Sequence, residues 1–321
     1  MTQAILSAAE LSVLAASRPR PEDFGPESPR PLIAFALGDA DPTLADWLKN
    51  LPCPVVGIGA GPLGFACDVI LADAAELAPI CRNVAATPMA AMALVQHLRA
   101  SEGLDPLAAL TAESFAYAAL QQGPDFRRLS FDRKAPIANS TPAVEIDFGP
   151  EGMTLTLNRP ANRNAIDVEM RDALAEALDL ALDDPDAPRV HLAAAGRCFS
   201  TGGEVAEFGL AANPATAHWV RSLRLPARRL ARLGDRLSAH VQGAAIGAGV
   251  EIAAFAHRLT ARADAWFQLP ELRYGLIPGA GGTVSLPRRI GRQRTAYMAL
   301  SMRRIPATVA LDWGLIDFME E

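Results

Sequence analysis

From Gly152 to Asp317 short strand-like runs alternate with helical ones, and several of the strands run straight into glycine. "GMTLTLNRP" alternates apolar and polar residues, and "DVEMRDALAEALDLALDD" has the spacing of an amphipathic helix. "RVHLAAAG" is followed by the glycine turn "GRCFSTGGEV", and a basic polar segment over 214–233 reads as one helix. "RLSAHVQG" reads as a further strand, and another helix begins near Gly247. Strands that alternate with helices need crossover connections, so the pattern predicts an α/β fold. No short-period tandem repeat accompanies it.

The first part of the chain has a different texture. "RPLIAFALGD" reads as a strand, "DPTLADWLKNL" as a helix and "CPVVGIGAG" as a strand entering a glycine turn. Residues 79–129 are helical in pattern, and "RKAPIANSTPAVE" has the composition of a linker. The division expected is a first block over residues 1–136 and a second over 137–321. The stretch "CPVVGIGAGPLGFACDVILAD" resembles a shortened copy of "SAHVQGAAIGAGVEIAAFAHRLTARAD" from the second block.

Composition excludes several function classes. Half of the 321 residues are apolar, enough for a sizeable core, and a formal charge of −6 argues against a general nucleic-acid footprint. Cys53, Cys67, Cys81 and Cys198 lack metal-ligand spacing and read as reduced thiols of a cytoplasmic protein. The five histidines share no spacing that would suit a metal. The N-terminal stretch lacks a basic region and is interrupted by Glu10, so it is not read as a signal peptide. No uncharged apolar run is long enough to span a bilayer, so no membrane is expected. No glycine-rich loop followed by lysine suggests ATP. Arg221, Arg224, Arg228, Arg229 and Arg232 lie along one helical segment and fit either a solvated face or a contact with phosphates.

Two carboxylates stand in apolar surroundings. Glu251 follows two glycines in "GAAIGAGVEIAAF", and Glu271 lies 20 residues later in "FQLPELRYGLIPGAGG". Burying an unpaired charge costs several kcal/mol, so each acid needs a partner or a function. The glycine turns "FSTGGEV" and "GAGVE" can expose backbone N–H groups to an anion, the second with help from a helix N-terminus.

Taken in order, "LNRPANRNAID", "GRCFSTGGEVAEF", "VQGAAIGAGVEIA", "FQLPELRYGLIPGAGGTVSLPRRIGR" and "RIPATVALDWGLID" resemble the enoyl-CoA hydratase/isomerase, or crotonase, family over about residues 143–317. The resemblance implies a spiral of ββα repeats that binds an acyl-CoA thioester, with no separate cofactor. It implies an oxyanion hole from the N–H groups of Gly203 and Ala248 and catalysis by Glu251 and Glu271. Ala165, Phe199, Thr201, Gly247 and Gly279 are the further substrate-binding positions it implies. Retention of both glutamates favours a hydratase over an isomerase, and a non-catalytic acyl-CoA-binding subunit is the alternative of another class. The resemblance further implies a trimer or a pair of trimers. Glu204 stands where the family usually has Asp, and His257 and Arg258 stand where it usually has "cD". The family's terminal helices do not follow "GLIDFMEE"; residues 79–136 resemble them, so the first block is expected to stand in for them.

Overall fold

The computed structural model describes residues 4–132, 141–184, 186 and 188–320. The segment read as a linker falls largely on residues 133–140, outside the described residues.

The second half builds two sheets. Strands β5 (Val144–Gly149), β6 (Gly152–Leu157), β7 (Val190–Ala194), β8 (Leu237–Val241), β10 (Arg258–Arg262) and β13 (Phe318–Glu320) form one, in the order β13-β10-β8-β7-β6-β5. Its pairs are parallel except the β5–β6 hairpin. The other joins β9 (Ala244–Ile246), β11 (Trp266–Gln268) and β12 (Ile305–Pro306) in the order β12-β11-β9. Two turns of the spiral visit both sheets and then a helix: β8 and β9 lead into α10 (Ala248–Ala253), and β10 and β11 lead towards α11 (Gly282–Ser301). Alternation in β6 places Met153, Leu155 and Leu157 in the core and the threonines between them on the other face. Helix α7 (Val168–Asp183) starts where Asp167 accepts a 2.8 Å bond from the Met170 N–H, and it buries Met170, Leu174, Ala177, Leu178 and Ala181 along one face.

The segment over 214–233 is two helices, α8 (Pro214–Arg224) and α9 (Ala227–Leu233), rather than one. Pro226 keeps Leu225 out of the helical region, at ψ 116°, and so ends the first helix.

The first half opens with a parallel sheet of β1 (Ile5–Leu6), β2 (Ile33–Ala36), β3 (Val55–Ile58) and β4 (Val69–Leu71). Helices α1 (Ala8–Ala16) and α2 (Ala45–Lys49) belong to it, with a small core around Leu11, Phe24, Phe35, Leu48 and Leu63. The sequence echo has a structural counterpart. Strands β3 and β4 pair as β8 and β10 do, with the Asp68 N–H on Val55 C=O matching the His257 N–H on Leu237 C=O.

Helices α3 (Leu77–Ala86), α4 (Pro88–Ala100), α5 (Pro106–Leu120) and α6 (Pro124–Arg127) follow. They pack against the second half, chiefly along α11, so one apolar core contains residues of both. Ile80, Val84, Leu94, Val95 and Leu98 are buried in that core, each contributing about 1.5–3 kcal/mol before entropy. Asn83 donates to Leu300 C=O at 2.8 Å, Arg288 to Leu104 C=O at 2.7 Å, and Gln293 to Gly64 C=O at 2.6 Å. Asp68, 1% exposed, accepts from the Val55 N–H and pairs with Arg99 of α4 and with Arg292 of α11 at 3.0 Å.

Candidate active site

The spiral brings the two sequence-identified acids together. Glu251 lies in the first turn of α10, its N–H on Gly247 C=O at 3.0 Å, and the residue is 2% exposed. Its Oε2 accepts from the N–H groups of Ala280 at 2.6 Å and Gly282 at 2.8 Å. Close approach explains the glycine: a Cβ on residue 282 would stand 2.5 Å from Glu251 Cγ.

Glu271 opens the short turn Glu271–Tyr274 and reaches back to Gly247. The residue as a whole is half-buried, but its Oε2 is sealed from solvent and has no hydrogen-bond partner among the described residues. Burial pushes the Glu271 carboxyl up to about 8, with the charge of Glu113 adding to the effect. Burial raises Glu251 well above the ordinary glutamate range, and Glu271 and then Glu113 push it further. Like charges this close resist joint ionisation, so the pair holds at least one proton near neutral pH. Such a pair can give a proton at one carbon and take one at another.

The glycine turn after β7 lies beside these acids. Ser200 forms a parallel bridge with Ala245 of β9, and Ile246 N–H donates to Ser200 C=O at 3.0 Å. A Cβ on Gly202 would come 3.5 Å from the Ala248 nitrogen, so the turn abuts the start of α10. Ile166 donates to Gly202 C=O and accepts from the Glu204 N–H, which leaves the Gly203 N–H out of that pairing. Ala248 is the first residue of its helix, so its N–H has no partner within the helix. The two N–H groups that the resemblance singles out therefore stand on adjoining segments.

The other positions divide. Ala165 and Thr201 flank the same turn, with Thr201 N–H on Arg163 C=O at 3.1 Å. Gly247, at φ +49°, touches Glu271, and Gly279 touches the ring of Tyr117. Phe199 is wholly buried in the core, so only its backbone is placed to meet a ligand.

Residues of the first half also reach this site, and the sequence reading missed them. Tyr117 of α5 covers Gly279, where a Cβ would collide with its ring, and the Arg221 guanidinium lies 4.5 Å from the ring centroid. Burial raises the Tyr117 phenol, and Glu251 and Glu271 are among the charges that add to it. Glu113, also of α5, is fully buried beside the glycine loop. Phe131 and Phe126 join Phe208 and Tyr274 in an aromatic group, and Phe208 packs against Gly203. Among the arginines of α8 and α9, Arg221 pairs with Glu113, Arg224 with Glu176, and Arg229 with Asp179 through two 2.8 Å bonds.

Comparison with known proteins bears on the family and the fold. The enoyl-CoA hydratase/isomerase family model matches residues 152–319, just over half of the chain. The 2,3-dehydroadipyl-CoA hydratase of Escherichia coli K12 is 36% identical over 165 residues, covering 51% of this chain and 64% of that protein. The 1,2-epoxyphenylacetyl-CoA isomerase of the same strain is 36% identical over 168 residues, covering 51% and 64%. The chain thus spans a little less than two thirds of the length of these curated relatives. The crystal structure of enoyl-CoA hydratase from Thermoplasma volcanium GSS1 superposes with a TM-score of 0.50 at 30% identity, covering 56% of this chain and 72% of that one. With the ββα spiral in place, and the family model matched across both glycine turns and both glutamates, the chain belongs to the enoyl-CoA hydratase/isomerase family.

Proposed function

We propose that the protein adds water across the double bond of a 2-enoyl-CoA. The observation that carries this reading is the pair of glutamates held in unlike settings: Glu251 accepts two backbone N–H bonds, while Glu271 keeps a sealed Oε2 with no partner among the described residues. The thioester oxygen takes negative charge as water attacks Cβ, and the Gly203 and Ala248 N–H groups receive it. One such donor is worth about 3 kcal/mol. One glutamate removes a proton from the water as its oxygen bonds Cβ, and the other gives a proton to Cα, so the sum is one water added. The chemistry needs no redox partner.

The first half serves in place of the family's terminal helices. What supports this is the burial of the apolar residues of α3 and α4 against α11 and the approach of Tyr117 to Gly279. The acyl-CoA lies under that cover, and the assembly is a trimer or a pair of trimers, by likeness to the family alone.

Isomerisation is the second reading, favoured by the 33% identity to a relative named as an enoyl-CoA isomerase/hydratase. Incubation with a 2-enoyl-CoA in water carrying a heavy oxygen isotope separates the two. Hydration puts the label into a 3-hydroxyacyl product; migration of the double bond without label would overturn hydration. In a hydratase Glu251→Gln loses water addition, whereas an isomerase keeps bond migration in that variant.

A further inference from the structure

Four successive backbone N–H groups at the start of α11 are shared between two buried acids. Those of Ala280 and Gly282 go to Glu251; those of Gly281 and Thr283 go to Glu113, at 2.9 and 3.1 Å. Glu251 comes from the spiral, and Glu113 comes from α5, 168 residues before Gly281 in sequence. The Thr283 hydroxyl donates to Glu113 Oε2 at 2.7 Å, and Arg221 of α8 pairs with Oε1 at 3.5 Å. The two N–H groups and the guanidinium can only donate and the Thr283 hydroxyl can also donate, so the set favours an accepting carboxylate at Glu113. Burial pushes Glu113 upward, while Arg221, Thr283 and the two N–H groups oppose that. The net direction is upward, and the Arg221 cation with the surrounding donors is what favours the carboxylate form.

The surroundings fix the remaining protons. With Glu113 as a carboxylate, the Thr283 hydroxyl gives it its single hydrogen, and the 2.8 Å contact to His97 Nε2 is then met by the imidazole tautomer that donates. Burial holds His97 of α4 down at about 4, so it is neutral. The charged and titratable groups around the loop are then Glu251 of α10, Glu271 of the following turn, Glu113 and Tyr117 of α5, Arg221 and His218 of α8, and His97. His218 bonds Ser114 at 2.9 Å. Arg221 also bonds Ser114, at 3.2 Å, and Gly279 C=O.

We propose that Glu113, delivered by the first half of the chain, is a positioning residue for the two-glutamate site: its carboxylate holds the alternate amides of the 280–283 loop, whose other amides hold Glu251, and sets a fixed negative charge beside Glu251 and Glu271. It touches no reacting atom. Its charge keeps the glutamate pair from releasing its last proton, which a site that must donate to Cα requires. The inference deepens the hydratase reading and rests on it for its meaning.

The test reads the field without turnover. In full-length protein with glutamate Cδ isotopically labelled, the Glu271 resonance, assigned through Glu271→Gln, is followed against pH by NMR. Glu113→Gln moves the Glu271 midpoint down by about one pH unit. Thr283→Val breaks the hydroxyl link yet keeps the charge, so the midpoint stays near that of wild type. Equal displacement in both variants, or none in Glu113→Gln, overturns the proposal. Should Glu113→Gln not fold, wild type still decides: the Glu113 resonance, assigned by its through-space contact with Thr283, remains ionised throughout the range in which Glu271 titrates. A Glu113 that is protonated there overturns it. Absence of water addition in wild type would sink the hydratase reading and leave this titration standing.

Discussion

Glu271 lies directly against Gly247: a Cβ at residue 247 would stand 2.6 Å from Glu271 Oε1. Gly247 also holds φ +49°, a conformation that L side chains rarely adopt. The glycine that starts α10 therefore serves the acid 24 residues later as well as its own backbone. Gly247→Ala both strains the turn and displaces Glu271. It should destabilise the fold by about 1–3 kcal/mol and cut turnover at least tenfold, read by thermal unfolding and initial rates. A variant as active and as stable as wild type would show that Glu271 does not depend on this contact.

Glu271→Gln isolates the acid itself. Its Oε2 has no partner among the described residues, so the substitution removes the proton carrier while leaving the pocket close to its shape. Turnover should fall on the order of a hundredfold or more, with acyl-CoA affinity retained in a binding titration. Undiminished turnover would remove Glu271 from the chemistry.

The same variant has an effect on stability with a definite sign. The folded carboxyl, at about 8, lies above the ordinary glutamate value of 4.5, so the native state holds more protons between these values. Native stability therefore falls as pH rises through that window and levels off above it. Gln cannot ionise and escapes the fall. Above about pH 9 Glu271→Gln should be the more stable protein, by on the order of 2 kcal/mol after allowance for partial exposure, an advantage lost below about pH 4. Denaturant unfolding at the two pH values checks it; a gap that does not change with pH would contradict the raised carboxyl.

The glutamates and glycine turns were legible because each lies in a local run whose residues meet within one or two turns of the spiral. Glu113 carries a similar cue, an acid inside the apolar run "LTAESFAYAAL", but its partners are Gly281 and Thr283 in the other half. Nothing local reports so distant a pairing. The arginines of α8 and α9 illustrate the same limit, since helical periodicity groups them and cannot say that Arg221 turns inward to Glu113 while Arg229 meets Asp179. The break at Pro226 was readable from the proline, which the continuous basic pattern masked.

The junction of the halves gives another prediction. Asp68 is buried between Arg99 and Arg292, and its loss leaves Arg99 without its acid and Arg292 with only the exposed Glu102, at 3.4 Å. Asp68→Ala should cost about 3–5 kcal/mol, and residues 141–321 expressed alone should aggregate because the buried face of α11 is uncovered. Unfolding curves and light scattering test both. A soluble second half that binds acyl-CoA as tightly as the whole chain would show that the first half is not needed as cover.

The most direct test of the central claim is a panel of 2-enoyl-CoA thioesters of different chain length and branching, assayed with wild-type protein for loss of the conjugated enoyl absorbance and followed by mass spectrometry. The account predicts that at least one thioester gains the mass of one water as a 3-hydroxyacyl-CoA, with the gain abolished in Glu271→Gln. Acyl-CoA binding with neither water addition nor bond migration across the panel would contradict it and leave a binding subunit in its place.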